Sequence, residues 1–345
     1  MSEVLYRKYR PKEFKDVLGQ EHIINALLGA LKQGNIAHAY LFSGSRGTGK
    51  TSVARILAKE IKCSSNDLYE IDAASNRGID DIRELREAVM ILPFDSPYKV
   101  YIIDEVHMLT KEAFNALLKT LEEPPKYVIF MLATTEIEKL PDTIISRCQT
   151  FLFKKPSLKT LKDAIIEIAK KEGFTLEPSA ADTIALLGDG SFRDAQGILQ
   201  KILFSSDDKK VSLNEVEKIA GAPKSIFVND IISAIAQGEL EKGLRVVNMA
   251  VEENIDMKMF LKMILHKIRS ILLLKYAKDM EIVLQEQFNT EDFEFLKKLS
   301  KETQSKINSK ILYELLTAYD AIGRSYISQL PIELALIKIL GNNDK

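Results

Sequence analysis

The residues with the clearest chemical capacity stand at 44–52, "GSRGTGKTS". Gly44 to Thr51 follows the pattern G-x-x-x-x-G-K-[ST], whose spacing cradles phosphate. Phosphate oxygens need several converging N–H donors, and glycines let the backbone wrap closely enough to supply them. Gly44, Ser45, Arg46, Gly47, Thr48, Gly49, Lys50, Thr51 and Ser52 are therefore the candidate nucleotide-binding residues. Lys50 can reach the outer phosphates, and the Thr51 hydroxyl can ligate Mg2+. A glycine-rich turn with an incidental lysine is the rival reading. The apolar "AYLFS" before the loop and the helix-like "TSVARILAKEI" after it oppose that rival.

An acidic pair supplies the second half. "VYIIDEVHML" carries an apolar run into Asp104 and Glu105. Where a parallel strand emerges, Asp104 can hold magnesium through water and Glu105 can polarise a water for attack on a terminal phosphate. His107 reads as structural, because magnesium prefers oxygen ligands. Thr134 ends the run "FMLAT" and offers a hydroxyl that could sense the attacked phosphate. Arg193 opens a helix in "GDGSFRDAQ", where pairing with Asp194 or Asp189 is the bland alternative. Arg147 sits in "SRCQTFLF", against an apolar run and with no acidic residue within four positions. Lys50, Glu105, Thr134, Arg147 and Arg193 form the candidate catalytic set.

These side chains need elements to position them. "AYLFSG" (39–44), "LYEIDA" (68–73), "KVYIIDEV" (99–106) and "YVIFMLATT" (127–135) read as buried strands, being short, apolar and bounded by polar or turn residues. Helical patterns alternate with them, including "KEAFNALLKTLEE", which should start at Thr110 as N-cap and stop before Pro124-Pro125. Such alternation predicts a parallel sheet covered on both faces. After Pro156 the strand signals stop. Residues 157–220 predict three or four short helices, the first capped by Ser157, and Ser225 to Ile339 is again helical. "MKMFLKMILHKIRSILLLKYA" is apolar enough to be buried or subunit-facing, and its charges argue against a membrane role.

Bulk properties narrow the classes. The 345 residues allow two or three domains. A net charge of -1 gives no global sign of a nucleic-acid binder, so such a function would need a local basic patch. Two cysteines, Cys63 and Cys148, cannot build a disulfide framework or a four-cysteine zinc site. No apolar run approaches the roughly 18 residues of a membrane span, and the start lacks a signal-peptide core, so a soluble, cytoplasmic protein is expected.

The ensemble carries a family resemblance. Phosphate loop, "DEVH", "LATTE", "SRC" and "GSFRDA", in this order and followed by helices, resemble the AAA+ clamp-loader ATPases. "YRKYRPKEFKDVLGQEHI", "EIDAASNRGIDDIRELRE", "AFNALLKTLEEPP" and "LPDTIISRCQTFLF" sharpen the resemblance to the gamma/tau family of bacterial DNA polymerase III, over nearly the whole chain. The resemblance implies an α/β P-loop (AAA+) parallel-sheet ATPase domain over residues 1–156, a small helical lid domain over 157–221 and an all-helical collar domain over 222–345. It implies an ATP-driven subunit that uses ATP and Mg2+ to open a sliding clamp and load it on primed DNA. Its implied partners are delta, delta-prime and further gamma/tau copies in an arc of five subunits, the clamp itself, and primer–template DNA held by its backbone.

Site roles follow the same resemblance. Tyr6, Arg10, Pro11 and Val17 would lie near the adenine, Arg193 would reach the phosphates from the lid, and Arg147 of "SRC" would act on the nucleotide of a neighbouring subunit. A structural anchor to a backbone carbonyl or distant carboxylate is the alternative for Arg147. Arg77 and Arg83 could meet DNA phosphates, although Arg83 is also spaced to pair with Asp80 or Glu87 on a helix surface. One departure stands out: the family's four-cysteine zinc module is reduced here to "CSSND", so no zinc is expected. The chain also ends at the collar, as a gamma-length form or a shortened tau would. Two other readings stay open: a non-hydrolysing scaffold of the same assembly, opposed by intact Lys50, Thr51, Asp104 and Glu105, and a helicase or unfoldase, for which no persuasive pore loop is found.

Overall fold

The computed structural model describes residues 3–76, 78–206, 208–285, 288 and 290–341. The chain divides into two compact units, Met1–Leu161 with Gly190–Gln196, and Lys162–Asp189 with Gly197–Lys345.

The first unit is built on a five-stranded sheet ordered β2-β3-β4-β1-β5. Helices α1 (Leu5–Lys8) and α2 (Glu21–Gln33) precede β1 (Ala39–Gly44). Then come α3 (Lys50–Glu60), β2 (Leu68–Asp72), α4 (Ile79–Val89), β3 (Lys99–Asp104), α5 (Lys111–Glu122), β4 (Val128–Thr134), α6 (Asp142–Ile145) and β5 (Gln149–Phe153). All four pairings are parallel. The three inner strands are buried along nearly their full length, which is why they read as unbroken apolar runs. Side chains alternate between faces. Leu41, Tyr101, Ile103, Phe130 and Leu132 pack with Leu85, Phe114 and Leu117 of α4 and α5, while Tyr40, Phe42, Ile102 and Met131 join Leu27, Val53 and Leu57 of α2 and α3.

The four strands read from sequence correspond to β1–β4 within two residues at their ends, but β2 is not buried as expected: it is an edge strand, and its residues are partly or fully exposed. Thr110 caps α5 by accepting from the Ala113 N–H, and α5 stops at Glu122. β5 was legible only as an apolar run. It is an edge strand whose residues are mostly exposed, so its burial pattern lacks the continuity of the inner strands.

Beyond Phe153 come α7 (Leu158–Lys171), β6 (Thr175–Leu176), α8 (Pro178–Leu187), α9 (Phe192–Ser205), β7 (Lys210–Val211) and α10 (Leu213–Ala220). Ser157 caps α7 through the Thr160 N–H. β6 and β7 correct the expectation that strands end at Pro156: two residues each, they are too short to leave a periodic signal. Helices α11 (Ser225–Gln237), α12 (Leu240–Glu252), α13 (Met257–Tyr276), α14 (Glu281–Gln285), α15 (Thr290–Lys301), α16 (Ser309–Ile322) and α17 (Leu330–Leu340) complete the second unit.

α13 is the core helix there, with Phe260, Leu261, Ile264 and Ile268 fully buried among residues of α11, α15 and α16. Its Lys267 is also buried, and its ammonium donates to Ser225 Oγ, Asn229 Oδ1 and Asp292 Oδ1 at 3.2, 2.8 and 2.6 Å. A buried charge survives only when paired and hydrogen-bonded in this way. No single helix among the described residues is long and apolar enough to cross a membrane.

Candidate nucleotide site

The carboxyl ends of β1, β4 and β3 lie side by side, and the candidate residues leave from them. Two glycines shape the loop after β1. Gly44 has φ +144° and approaches β5 so closely that a Cβ would stand 2.5 Å from the Phe153 carbonyl oxygen. Gly47 has φ +72°, and a Cβ there would stand 1.9 Å from Ser191 Oγ. The Phe192 N–H donates to the Gly47 carbonyl at 3.0 Å, so the loop apex is fastened to the start of α9.

Lys50 is buried at 5% exposure, and its ammonium donates to the Gly44 and Ser45 carbonyls at 2.8 and 3.0 Å. Burial pushes its pKa down, the carboxylates of Glu105 and Asp104 pull it back, and Arg193 pushes it down further. Thr48 is spent inside the loop, its hydroxyl donating to the Ser45 carbonyl. Arg46 is exposed at the loop apex.

Across the sheet, the Thr51 hydroxyl donates to Asp104 Oδ2 at 2.7 Å, and the other Asp104 oxygen accepts from the Glu105 N–H at 3.0 Å. Thus a hydroxyl and a carboxylate meet although they are 53 residues apart in sequence. Glu105 adopts the left-handed region, φ +48°, where a non-glycine residue is strained by about 1 kcal/mol. Its Oε2 accepts from the Thr135 hydroxyl at 2.9 Å and the Thr135 N–H at 3.3 Å.

The hydroxyl on Glu105 thus belongs to Thr135, a residue that sequence reasoning passed over. Thr134 is fully buried, and its hydroxyl contacts His107 Nδ1 at 2.9 Å and accepts from the Glu136 N–H at 3.0 Å. Thr134 is the last residue of β4 and Thr135 lies just past it, so the turn after the strand decides which hydroxyl meets Glu105.

Two of the N-terminal candidates, Arg10 and Tyr6, touch other candidate residues. Arg10 Nε donates to Ser52 Oγ at 3.0 Å, and the Arg193 guanidinium lies 5.3 Å from the Tyr6 ring centroid, a cation–π contact. Burial lowers the Arg10 pKa, and Arg55 and Arg193 lower it further, so these cations share one neighbourhood. Arg193 is grouped with the sheet unit through Gly190–Gln196. Pro11 is half-buried, whereas Val17 belongs to the apolar core with Phe14 and Ile23.

Arg147 does not join them. β5 runs parallel to β1 with Gln149 opposite Tyr40 and Phe153 opposite Gly44, so Arg147 lies at the amino ends of the strands and the phosphate loop at their carboxyl ends. Four residues of strand separate the two, roughly 13 Å. Its guanidinium donates to the Thr143 carbonyl at 2.8 Å and pairs with Glu122 at 2.7 Å, a carboxylate 25 residues away in sequence. Arg83 pairs with Asp80 at 3.1 Å on the exposed surface of α4, and Arg77 lies outside the described residues. Burial pushes the Cys148 thiol up to about 12 and that of Cys63 upward as well.

Comparison with known proteins places this geometry in a family. The family described as "DNA polymerase III, delta subunit" matches residues 19–76 and 64–157, and "DNA polymerase III subunits gamma and tau domain III" matches 211–344. The tau subunit of Bacillus subtilis DNA polymerase III is 40% identical over 94% of this chain, which spans 59% of that protein. The gamma/tau subunit of Mycoplasma pneumoniae is 40% identical over 76% of this chain and 41% of its own length, and the Escherichia coli tau subunit is 40% identical over 74% and 43%. Among solved structures, the Thermotoga maritima RuvB Holliday junction branch migration motor shares the fold, with a TM-score of 0.53 at 23% identity over 71% of this chain and 85% of that one. The chain thus has an AAA+ fold and belongs to the gamma/tau family of bacterial DNA polymerase III subunits.

Proposed function

We propose that this chain is an ATP-hydrolysing motor subunit of a clamp loader, which opens a sliding clamp and sets it on primed DNA. The observation that carries the reading is the Thr51–Asp104 contact at 2.7 Å, beside a phosphate loop whose lysine is buried and whose surroundings are cationic. An oxygen-only donor pair fits Mg2+, which when bound would neutralise charge between the outer phosphates. Lys50 would exchange the loop carbonyls for phosphate oxygens. Glu105 would leave Thr135 to orient the attacking water, and Thr135 rather than Thr134 would then face the terminal phosphate. Tyr6, Arg10 and Arg193 would close over the nucleotide from the N-terminal side, with Pro11 and Val17 backing the adenine.

Arg147 faces away from this chain's own loop, so the phosphate it meets would belong to a neighbouring subunit, with Glu122 holding it until then. Guanidinium suits that task because it stays charged and engages two oxygens. Assembly would use the helical second unit. Leu330, Leu334 and Ile337 are exposed along α17 at spacings that share one face, suited to a neighbouring subunit. Within this reading the ATPase core, lid and collar correspond to 1–156, 157–221 and 222–345. The partners would be delta, delta-prime and further gamma/tau copies, the clamp, and DNA through its phosphates.

Two substitutions test the assignment. Lys50→Ala should abolish ATP binding, whereas Glu105→Gln should keep binding and lose turnover. Equal ATP affinity in the wild type and Lys50→Ala would remove the phosphate cradle from the account.

A further inference from the structure

His107 lies in the single 3-10 turn after Glu105, Val106–Met108, and its side chain is 5% exposed. A buried imidazole among polar groups needs a partner on each nitrogen. Nδ1 lies 2.9 Å from Thr134 Oγ1, and Nε2 lies 3.3 Å from Glu136 Oε1. The Glu136 N–H donates to Thr134 Oγ1 at 3.0 Å, and Lys139 pairs with the Glu136 carboxylate at 2.7 Å.

One assignment of protons satisfies these contacts together. The Glu136 N–H donates to Thr134, the Thr134 hydroxyl donates to Nδ1, and Nε2–H donates to Glu136. The hydrogen bonds close into a ring. Thr135 is the residue enclosed by that ring, and its N–H and hydroxyl are the two donors on Glu105. In the same tautomer Nδ1 carries no proton and its lone pair is taken by Thr134, so it gives Glu105 Oε2, 3.5 Å away, no hydrogen bond. Among the described residues Thr135 then supplies the hydrogen bonds to the Glu105 carboxylate, and Glu105 can leave it.

We infer that His107 is a positioning residue for hydrolysis: it fixes the Thr134–Glu136 turn so that Thr135 sets the resting place of Glu105. The inference rests on the ATPase reading above, but the ring itself does not. Removing the ring should leave nucleotide affinity intact while mis-setting the base. His107→Leu breaks both contacts, whereas His107→Gln supplies one acceptor and one donor and can rebuild them.

The test uses the full chain in its assembled complex, with thermal unfolding to confirm that each variant is folded. His107→Leu should lower kcat about tenfold with unchanged affinity for a fluorescent ATP analogue, and His107→Gln should recover most of the loss. Equal losses in both variants, or a loss confined to affinity, would overturn the inference. Nitrogen-15 NMR of the histidine side chains reads the ring without any ATPase activity. His107 should be the neutral Nε2–H tautomer, and Thr134→Val should perturb its Nδ1 resonance. A proton on Nδ1 would overturn the ring, whereas a wild type that shows the Nε2–H tautomer but hydrolyses no ATP would sink the ATPase reading instead.

Discussion

Gly47→Ala separates the two demands on the phosphate-loop apex. The first is backbone: φ +72° costs an L-residue about 1 kcal/mol relative to glycine. The second is space. An added Cβ would lie 1.9 Å from Ser191 Oγ, 2.9 Å from its Cβ and 3.3 Å from its Cα, so rotating the hydroxyl away cannot suffice. Moving Ser191 gives up its cap on the Asp194 N–H, about 1 kcal/mol, and the Phe192 N–H to Gly47 bond, about 1 kcal/mol. The total is about 3 kcal/mol, read as a shift in the urea midpoint at constant slope. Gly49→Ala is the control, because φ is +103° there but no atom lies within 4 Å of the added Cβ, leaving the backbone cost alone. The double variant Gly47→Ala with Ser191→Gly should recover the Phe192 N–H to Gly47 bond, about 1 kcal/mol, but not the cap on Asp194, which Ser191→Gly itself removes. If Gly47→Ala and Gly49→Ala lost the same stability, the loop apex would not be braced by α9 as described.

Other outcomes follow from the same geometry. Asp67 is buried. Burial alone would raise its carboxyl, but hydrogen bonds from the Ser96 hydroxyl and the N–H groups of Phe94, Asp95 and Ser96 hold it well below the usual carboxylate range. A depressed folded value means stability that is present above the ordinary pKa of about 3.9 and lost as pH falls below it. Asp67→Asn should cost about 2 kcal/mol near neutrality and flatten the acid limb of stability against pH, measured by urea unfolding at each pH; an unchanged acid limb would remove Asp67 as its source. Assemblies mixing Arg147→Ala chains with Glu105→Gln chains should turn over ATP only where a wild-type Arg147 faces a wild-type Glu105. Unchanged hydrolysis in Arg147→Ala assemblies would leave Arg147 as an anchor on Glu122 and Thr143.

The inner sheet was legible because burial on both faces leaves β1, β3 and β4 as continuous apolar runs with their functional residues at the carboxyl ends. The Thr51–Asp104 pair could be anticipated from two motifs and the winding of a parallel sheet. Edge strand β5 was legible only as an apolar run, because its apolar residues are confined to "FLF" at its end. Choosing between Thr134 and Thr135 needed the register that sets Thr134 opposite Ser43, inside the sheet. The partner of Arg147 escaped for a different reason: Glu122 stands 25 residues earlier on α5, and spacing within one segment cannot reveal a contact made by folding two together. His107 was read as structural from magnesium's preference for oxygen, which gave no hint that its ring joins Thr134 to Glu136.

ATP turnover by the complete assembly, measured alone, with sliding clamp, and with clamp plus primed DNA, tests the central claim most directly. Hydrolysis by the assembly alone should be slow, rise clearly when clamp and primed DNA are both present, and lose that rise in Glu105→Gln. Turnover that ignores clamp and primed DNA, or a rise that survives Glu105→Gln, would contradict it.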